Sequence, residues 1–246
     1  MITHLTLSVR KRRTLVRSED ERRVVVRLLA RLAGPGLLLF NVMDDHVHLV
    51  TRTAQPGRVG RSILLGLRGL RPDLEFKRPH PEVVDSQASL RTLVRYVFQQ
   101  SSGKDLGSDA LWTGSSFQDL VGARRLPGLR SRAVLDELPR LHLREVLPWV
   151  AAPARPLEPR PPQSPVEAFA AASAACCAPT TLLGRTAPEL RALRAAIALC
   201  DGRFRPSDIR DAVGRSRSSM KRLRSAPADS EDVRATGVRL ALEGLS

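Results

Sequence analysis

The chain has 246 residues and a formal net charge of +15, with 40 Lys and Arg against 25 Asp and Glu. This length exceeds that of a typical single domain, so we expect one domain of ordinary size and a smaller one. The positive charge favours a polyanionic partner, nucleic acid first, because cations that neutralise phosphates release counterions. Nearly all the cations are Arg in a chain rich in Ala, Leu and Pro, so part of the charge reflects composition bias.

Cysteine usage and hydropathy exclude several other classes of protein. Cys176, Cys177 and Cys200 have the spacing of neither a disulfide framework nor a zinc ribbon, which fits a reducing cytosol. Residues 1–13 lack the apolar core of a signal peptide, and no stretch approaches the roughly 18 apolar residues of a membrane span. The sequence therefore predicts a soluble cytoplasmic protein with no membrane partner.

The first third of the chain predicts alternating strands and helices. Residues 3–9 alternate between polar and apolar side chains, which is typical of a strand. The Ser-x-x-Glu sequence at residues 18–21 is a capping box, and it predicts a helix to about residue 32, before Gly34-Pro35-Gly36. Residues 37–43 and 46–52 predict a hairpin that turns at Asp44-Asp45.

A further helix, an edge strand and a third helix complete this domain. Residues 59–70 predict the helix, and residues 74–84, which contain prolines, predict a short edge strand. The third helix has an apolar stripe formed by Leu90, Leu93, Val94 and Val97. The order βαββαβα predicts an α+β fold with a ferredoxin-like sheet and helices on one face.

The remaining residues predict a second, helical domain. We expect the first domain over residues 1–125, including an ordered loop and short helix at 112–122. A helical extension at 126–149 and a Pro-rich linker at 150–165 follow, and an all-α domain covers 166–246.

Three helices are predicted in this C-terminal domain. The first carries an apolar face and ends at Asp201-Gly202, and the second begins at Pro206. The third is capped by Ser216 after a turn at Gly214. A short helix, a glycine turn and a basic helix together resemble a helix-turn-helix, whose last helix enters the major groove.

Two clusters of side chains suggest chemistry. Because successive side chains on a strand alternate, His46 and His48 share one face and suit a cation, while Val47 points to the core. Tyr96 and Gln100 are four residues apart on the third helix, so they lie one above the other at the edge of its apolar stripe. Both side chains could reach a neighbouring sheet.

These clusters resemble the active-site motifs of a known family. Phe40-Asn41-Val42-Met43-Asp44-Asp45-His46-Val47-His48-Leu49-Val50 looks like the His-hydrophobic-His segment of single-tyrosine transposases, and Leu93-Val94-Arg95-Tyr96-Val97-Phe98-Gln99-Gln100 looks like their nucleophile helix. The REP-associated tyrosine transposases are the most similar group. His4 in the first strand and a Trp-Ser-Ser-like element at residues 112–116 add to the resemblance, which covers about residues 1–125.

The resemblance implies a reaction on single-stranded DNA beside an imperfect hairpin. It makes Tyr96 the nucleophile, which forms a 5′-phosphotyrosyl bond and leaves a free 3′-hydroxyl, and the step is reversible without a nucleotide cofactor. It makes His46, His48 and Gln100 the ligands of a Mg²⁺ or Mn²⁺ ion that polarises the scissile phosphate. It also implies a bacterial, nucleoid-associated protein and is compatible with a homodimer or a monomer.

The chain departs from the family pattern at two places. Asp44-Asp45 stands where the family usually has Pro-Asn, and Gln100-Ser101 stands where it has Asn-Pro. The amide oxygen of Gln100 can still coordinate a cation, and Asp45 is a candidate additional ligand. These departures leave open a divergent or weakened enzyme.

Basic residues predict where DNA would bind. In the first domain these are Lys11, Arg12 and Arg13, and in the last predicted helix they are Arg215, Arg217, Lys221, Arg222 and Arg224. Solvated basic surface is the alternative interpretation of both groups. His80 and His142 lack paired spacing and are interpreted as structural. His4 is also interpreted as structural, at a position near the DNA.

Other functions stay open from the sequence. A His-x-His pair on a strand or a single helical Tyr is, taken alone, more often a packing or surface feature. A non-catalytic DNA-binding regulator would depend on the C-terminal helices and keep the first domain as a relic. A metal hydrolase would use the His pair to activate water, but the scattered remaining histidines offer a poor ligand set.

Overall fold

A computed structural model of the protein describes residues 1–100, 110–130, 133–138, 140–150, 152 and 157–245, apart from the side chain of Arg12. The chain divides into two units. The first comprises Met1–Leu120 and Pro127–Arg155, and the second comprises Val121–Leu126 and Pro156–Ser246. The fold class is α+β, because the first unit contains a sheet and the described residues of the second are helices and loops.

The first unit is built on a four-stranded antiparallel sheet. Its strands are β1 (Ile2–Ser8), β2 (Leu37–Val42), β3 (His46–Arg52) and β4 (His80–Val84), in the order β2-β3-β1-β4. The hairpin turns at the predicted Asp residues. The predicted edge strand is confirmed over its last five residues only, and the edge position tolerates Pro81, which has no N–H to donate.

Three longer helices accompany the sheet: α1 (Glu19–Ala33), α2 (Pro56–Leu70) and α3 (Gln87–Gln99). The Ser18 hydroxyl caps α1 by accepting a hydrogen bond from Glu21 N at 3.2 Å. The Glu21 carboxylate accepts from Arg17 N at 2.7 Å, one residue before the position expected for a capping box. Helix α2 begins three residues earlier than predicted, because Pro56 suits the first helical position.

The helices lie on both faces of the sheet. Gly60 of α2 packs against Leu5, and α1 packs beside α2, so these helices cover the face that carries the apolar side chains of β1 and β3. Helix α3 lies on the opposite face, where Asn41 Nδ2 donates to Val97 O at 2.8 Å. The expectation that the helices share one face is therefore wrong for α3. The buried side of α3 includes Phe98, which packs edge-on against Phe117, with ring centroids 6.0 Å apart.

Residues 114–116 run along the free edge of β2. Val42 N donates to Gly114 O at 2.9 Å, and Phe40 N donates to Ser116 Oγ at 3.0 Å. A side chain at Gly114 would begin 2.2 Å from Val42 O, so only glycine permits this approach. The predicted short helix follows as α4 (Phe117–Leu120).

In the described residues of the predicted helical extension there are two short α-helices, α5 (Ala133–Glu137) and α6 (Leu143–Val146). They belong to the first unit. Residues 121–126, which were assigned mainly to the first domain from the sequence, belong to the second. In that unit Arg125 N donates to Ala175 O at 2.8 Å.

The second unit contains five helices in the described part of the chain: α7 (Pro165–Ala175), α8 (Ala187–Cys200), α9 (Pro206–Val213), α10 (Arg217–Ser225) and α11 (Ser230–Glu243). The three predicted helices correspond to α8, α9 and α10. Gly214 has φ of 63° between α9 and α10, and the Ser216 hydroxyl caps α10 by accepting from Ser219 N. In the described ranges, no helix combines the length and apolar composition that a bilayer span requires.

Part of the predicted linker is packed structure. Arg160 N donates to Gly237 O of α11 at 2.9 Å, and the Arg160 guanidinium donates to Leu240 O. Pro159 lies against Gly237, where an added Cβ would come within 2.8 Å of its side chain. Proline has no N–H that needs a partner, so a Pro-rich segment can lie along a helix at low cost.

Candidate active site between the sheet and α3

The histidine pair lies on β3, on the face covered by α3. The register of the sheet places His48 between Thr6 of β1 and Asn41 of β2. The rings of His46 and His48 meet edge-on with centroids 4.8 Å apart. Strand alternation therefore brings the two imidazoles together, as the sequence predicted, although their shared face carries a helix.

A row of polar side chains begins at Nδ1 of the His48 ring. His48 Nδ1 lies 3.1 Å from His4 Nε2 and 3.4 Å from Thr6 Oγ1. The His4 and His48 rings are stacked, with an interplanar angle of 18°. His4 Nδ1 in turn lies 3.4 Å from a carboxylate oxygen of Glu82 on β4. Three neighbouring strands thus contribute to a chain from carboxylate to imidazole to imidazole.

The Asp that precedes the pair orients the first histidine. His46 Nδ1 lies 2.7 Å from Asp45 Oδ1. Asp44 forms an ion pair with Arg22 of α1 at 2.9 Å, and its carbonyl accepts from Leu15 N. The Asp45 carboxylate therefore contacts the His46 ring at Nδ1, while Asp44 attaches the turn to neighbouring parts of the chain.

Tyr96 projects from α3 over the histidines. Its ring meets the His48 ring edge-on with centroids 5.4 Å apart. The residue is 48% exposed, which is unusual for a large aromatic side chain beside a sheet. The phenol is therefore accessible to a large substrate while its ring remains beside the His48 imidazole.

Gln100 directly follows the last residue of α3 and lies next to the His48 ring. The pKa of His48 is lowered from 6.5 to about 3 by burial and by its neighbours His46 and His4, and the approach of Gln100 acts in the opposite direction. His48 Nε2 is buried, and no group among the described residues meets hydrogen-bond geometry there. His48 is consequently neutral at physiological pH.

This arrangement fits a divalent cation. Both histidines have Nδ1 engaged, by Asp45 and by His4, which leaves Nε2 as the nitrogen available for coordination. Gln100 adds an amide oxygen, the type of donor that Mg²⁺ and Mn²⁺ accept. Within the described ranges no three His, Cys, Asp or Glu side chains converge to hold a metal by themselves.

One residue that positions the site was missed in the sequence. Asn41 is fully buried, donates to Val97 O and accepts a hydrogen bond from Trp112 Nε1 at 3.0 Å. The carbonyl that it holds belongs to the residue after Tyr96. A buried Asn in an otherwise apolar strand was the available signal, because a buried amide requires partners.

The predicted basic residues of the first unit have different surroundings. Arg13 donates to Asp73 O at 3.0 Å, and Lys11 is exposed with a φ of 59°. The side chain of Arg12 lies outside the described part of the chain. Ser101, which departs from the family pattern, also lies outside it.

The predicted basic residues of the second unit divide into two groups. Arg215 donates to two carbonyls, Leu182 O and Gly184 O, and Arg224 forms an ion pair with Asp201 at 2.8 Å. Arg217, Lys221 and Arg222 are exposed along α10. The first group has acceptors within the protein, whereas the side chains of the second group are exposed.

No protein-family model, curated protein or solved structure matches this chain. A functional assignment therefore depends on the chemistry of the site itself.

Proposed function

We propose that the protein is a metal-dependent endonuclease and strand transferase that nicks single-stranded DNA beside hairpins through a 5′-phosphotyrosine intermediate. One observation carries the proposal. An exposed phenol, two imidazoles with available Nε2 atoms and a carboxamide meet at one place on a sheet. A packing role for Tyr96 would not require a pair of contacting histidines, one of which also contacts the tyrosine ring.

The proposed step transfers a phosphoryl group to the protein. The Tyr96 oxygen forms a bond to phosphorus while the bond from phosphorus to the 3′-oxygen breaks. The phenol loses its proton, and the departing oxygen takes up a proton and becomes a 3′-hydroxyl. One phosphoester is exchanged for another, so a second 3′-hydroxyl can reverse the step without a nucleotide cofactor.

The protein's own groups prepare this step. Burial keeps His48 neutral, so its Nε2 lone pair is available at physiological pH. Asp45 and His4 orient the two rings, and Asn41 holds the turn of α3 that carries Tyr96. A Mg²⁺ or Mn²⁺ ion bound by His46, His48 and Gln100 would polarise the scissile phosphate.

The architecture supports the same proposal. The strand order β2-β3-β1-β4, with every neighbouring pair antiparallel, supports a ferredoxin-like arrangement. In the second unit, the short α9, the left-handed Gly214 and the basic α10 support a helix-turn-helix. This unit would recognise duplex DNA such as a hairpin stem.

The reaction is tested with a hairpin-bearing single-stranded oligonucleotide and Mn²⁺. A label at the 3′ end should migrate with the protein on a denaturing gel, because the tyrosine retains the fragment with the 5′-phosphate. A label at the 5′ end should be released with the free 3′-hydroxyl. Tyr96→Phe should abolish the adduct, and EDTA or His46→Ala should reduce it strongly.

Two results would contradict the assignment. An adduct of equal yield with Tyr96→Phe would exclude this nucleophile. Cleavage unaffected by both EDTA and His46→Ala would exclude the proposed metal site. Equal binding of the oligonucleotide by wild type and Tyr96→Phe serves as the control that the variant is folded.

A non-catalytic DNA-binding regulator is the second candidate. The exposed cations of α10 favour it, because they present charge on a helix that follows a tight turn. Stable binding of hairpin DNA without any covalent adduct, for wild type and Tyr96→Phe alike, would favour the regulator.

A further inference from the structure

A cavity lined by arginines lies in the second unit beside α10. Its volume is about 230 Å³. It lies between α8, α10 and the loop that precedes α8, and its polar lining consists of Arg185, Arg194, Arg215, Arg222 and Ser219. We call it the arginine cavity.

The charge of this cavity is only partly balanced. None of its lining residues, all within the described part of the chain, is acidic. The Glu189 carboxylate interacts electrostatically with Arg215, but it already accepts hydrogen bonds from Gly184 N, Thr186 N and Thr186 Oγ1. The lining of the cavity therefore contains four guanidinium groups, and the carboxylate that acts on one of them is already engaged.

Two of these guanidinium groups keep unused donors inside the protein. Arg194 Nε and Arg215 Nε are buried and have no hydrogen-bond partner among the described residues. Arg215 is also held in place, since its Nη2 donates to Leu182 O at 2.6 Å and to Gly184 O at 2.8 Å. Buried N–H groups without a partner are uncommon in folded proteins and indicate a missing acceptor.

The apolar part of the cavity lining strengthens the attraction of the cavity for an anion. Leu190, Leu193 and Leu223 supply apolar surface there. Charge interactions gain strength where apolar groups exclude water. Guanidinium groups bind the oxygens of tetrahedral phosphates with paired, directional hydrogen bonds.

We propose that the arginine cavity binds a phosphate group. Two sources share this chemistry: a backbone phosphate of nucleic acid lying along α10, and a free phosphorylated small molecule. The site lies wholly in the second unit, so it does not depend on any reaction at Tyr96.

The experiment uses the full-length protein in EDTA, which separates binding from cleavage. Arg222→Gln changes an exposed residue and should leave folding intact, and Arg194→Gln removes one of the buried donors. Arg234→Gln on α11 is the matched control, because it removes an exposed Arg of the same unit that does not line the cavity.

Two measurements are made on each protein. Fluorescence anisotropy over a salt series gives the affinity for a hairpin oligonucleotide and the slope of log Kd against log salt. Thermal unfolding with and without inorganic pyrophosphate gives the shift in Tm that a free phosphate ligand produces.

If the ligand is a backbone phosphate of nucleic acid, both cavity variants should bind the oligonucleotide more weakly, and the slope of log Kd against log salt should fall by about one unit. Arg234→Gln should show neither change. If the ligand is a free phosphorylated small molecule, pyrophosphate should raise the Tm of wild type by roughly 3–6 °C. Both cavity variants should lose this shift. Either result supports the proposal. If Arg222→Gln matches Arg234→Gln in both measurements, the cavity is not a phosphate site.

Discussion

At the scale of single residues, the site depends on which nitrogen of each imidazole is free. When His48 Nε2 presents its lone pair, Nδ1 carries the proton and donates to His4 Nε2. His4 Nδ1 then donates to Glu82. Residues that orient a metal-binding histidine affect the affinity of the metal site without touching the ion. His4 was interpreted from the sequence as structural, and the structure places it directly behind His48.

The role of His4 can be measured through metal affinity. We expect His4→Ala to weaken Mn²⁺ binding by roughly 10- to 100-fold, because His48 Nδ1 loses the closer of its two partners. His4→Gln keeps a hydrogen-bonding group and should recover part of this loss. Glu82→Gln should have a smaller effect, since the side chain of Glu82 is 67% exposed. Isothermal titration calorimetry measures each constant.

The control for this series is His80→Ala, which removes an exposed imidazole from β4. Its Mn²⁺ affinity should equal that of wild type. If His4→Ala also binds Mn²⁺ as wild type does, then His4 packs against His48 without positioning it.

The lowered pKa of His48 predicts acid sensitivity of the metal-free protein. The unfolded chain takes up a proton on this residue near pH 6.5, whereas the folded protein does so only at about pH 3. The free energy of unfolding therefore keeps the full contribution of His48 above pH 6.5 and loses it as the pH falls towards 3. The loss is about 1.4 kcal/mol per pH unit within that window.

Urea denaturation at pH 6.5 and pH 5 tests this expectation. Wild type should lose about 2 kcal/mol more than His48→Gln over this interval, because the glutamine does not titrate. Equal losses for the two proteins would show that His48 is protonated as readily in the folded state as in the unfolded chain.

At the scale of secondary-structure elements, α3 is held on the sheet by a polar contact as well as by apolar packing. The Asn41 amide bridges β2 to the Val97 carbonyl of α3 on one side and to Trp112 on the other. The Trp112 ring also stacks on Arg22 of α1, whose guanidinium carbon lies 4.0 Å from the ring centroid. The position of Tyr96 relative to β3 therefore depends on a side chain of β2.

We expect replacement of the Asn41 amide to lower the stability of the protein and to loosen the attachment of α3 to β2. We expect Asn41→Ala to lower the free energy of unfolding by about 2–4 kcal/mol, because two buried polar groups lose their partner. Urea denaturation measures the change. The exposed Gln87→Ala at the start of α3 is the control and should change stability by less than about 0.5 kcal/mol. A loss for Asn41→Ala no larger than that of the control would show that water replaces the amide.

At the scale of the whole molecule, the second unit includes a short segment that is distant in sequence. Residues 121–126 join it through an ion cluster in which Asp232 pairs with both Arg125 and Arg191. Asp232 is almost completely buried, whereas the two arginines are partly exposed. The cluster connects this segment to α8 and α11.

Removal of the buried carboxylate should destabilise this unit. We expect Asp232→Ala to cost roughly 2–3 kcal/mol, less than for a fully buried pair because water screens the two arginines. Calorimetry should show a lower Tm for the transition of the second unit. Asp211→Ala, which breaks a surface pair with Arg210, should change little. Equal effects of the two substitutions would mean that the cluster contributes no more than a surface pair.

Local patterns in the sequence predicted much of this structure. Caps at Ser18 and Ser216, the turn at Asp44-Asp45 and the left-handed Gly214 act over a few residues, so the chain itself specifies them. Helices α7 and α11 were not predicted as separate elements. Helix α7 is Ala-rich and buried on most sides, so it has little apolar periodicity to detect.

For the candidate site, the sequence by itself determined that His46 and His48 share a face, since strand alternation is a property of the backbone. It likewise determined that Tyr96 and Gln100 lie one turn apart. Only the tertiary structure decided that α3 lies over the histidines, that His4 and Glu82 stand behind His48, and that four arginines of the second unit surround one cavity. These contacts join residues far apart in the chain, and they depend on which faces of the sheet and helices bury the most apolar surface, which no local pattern specifies.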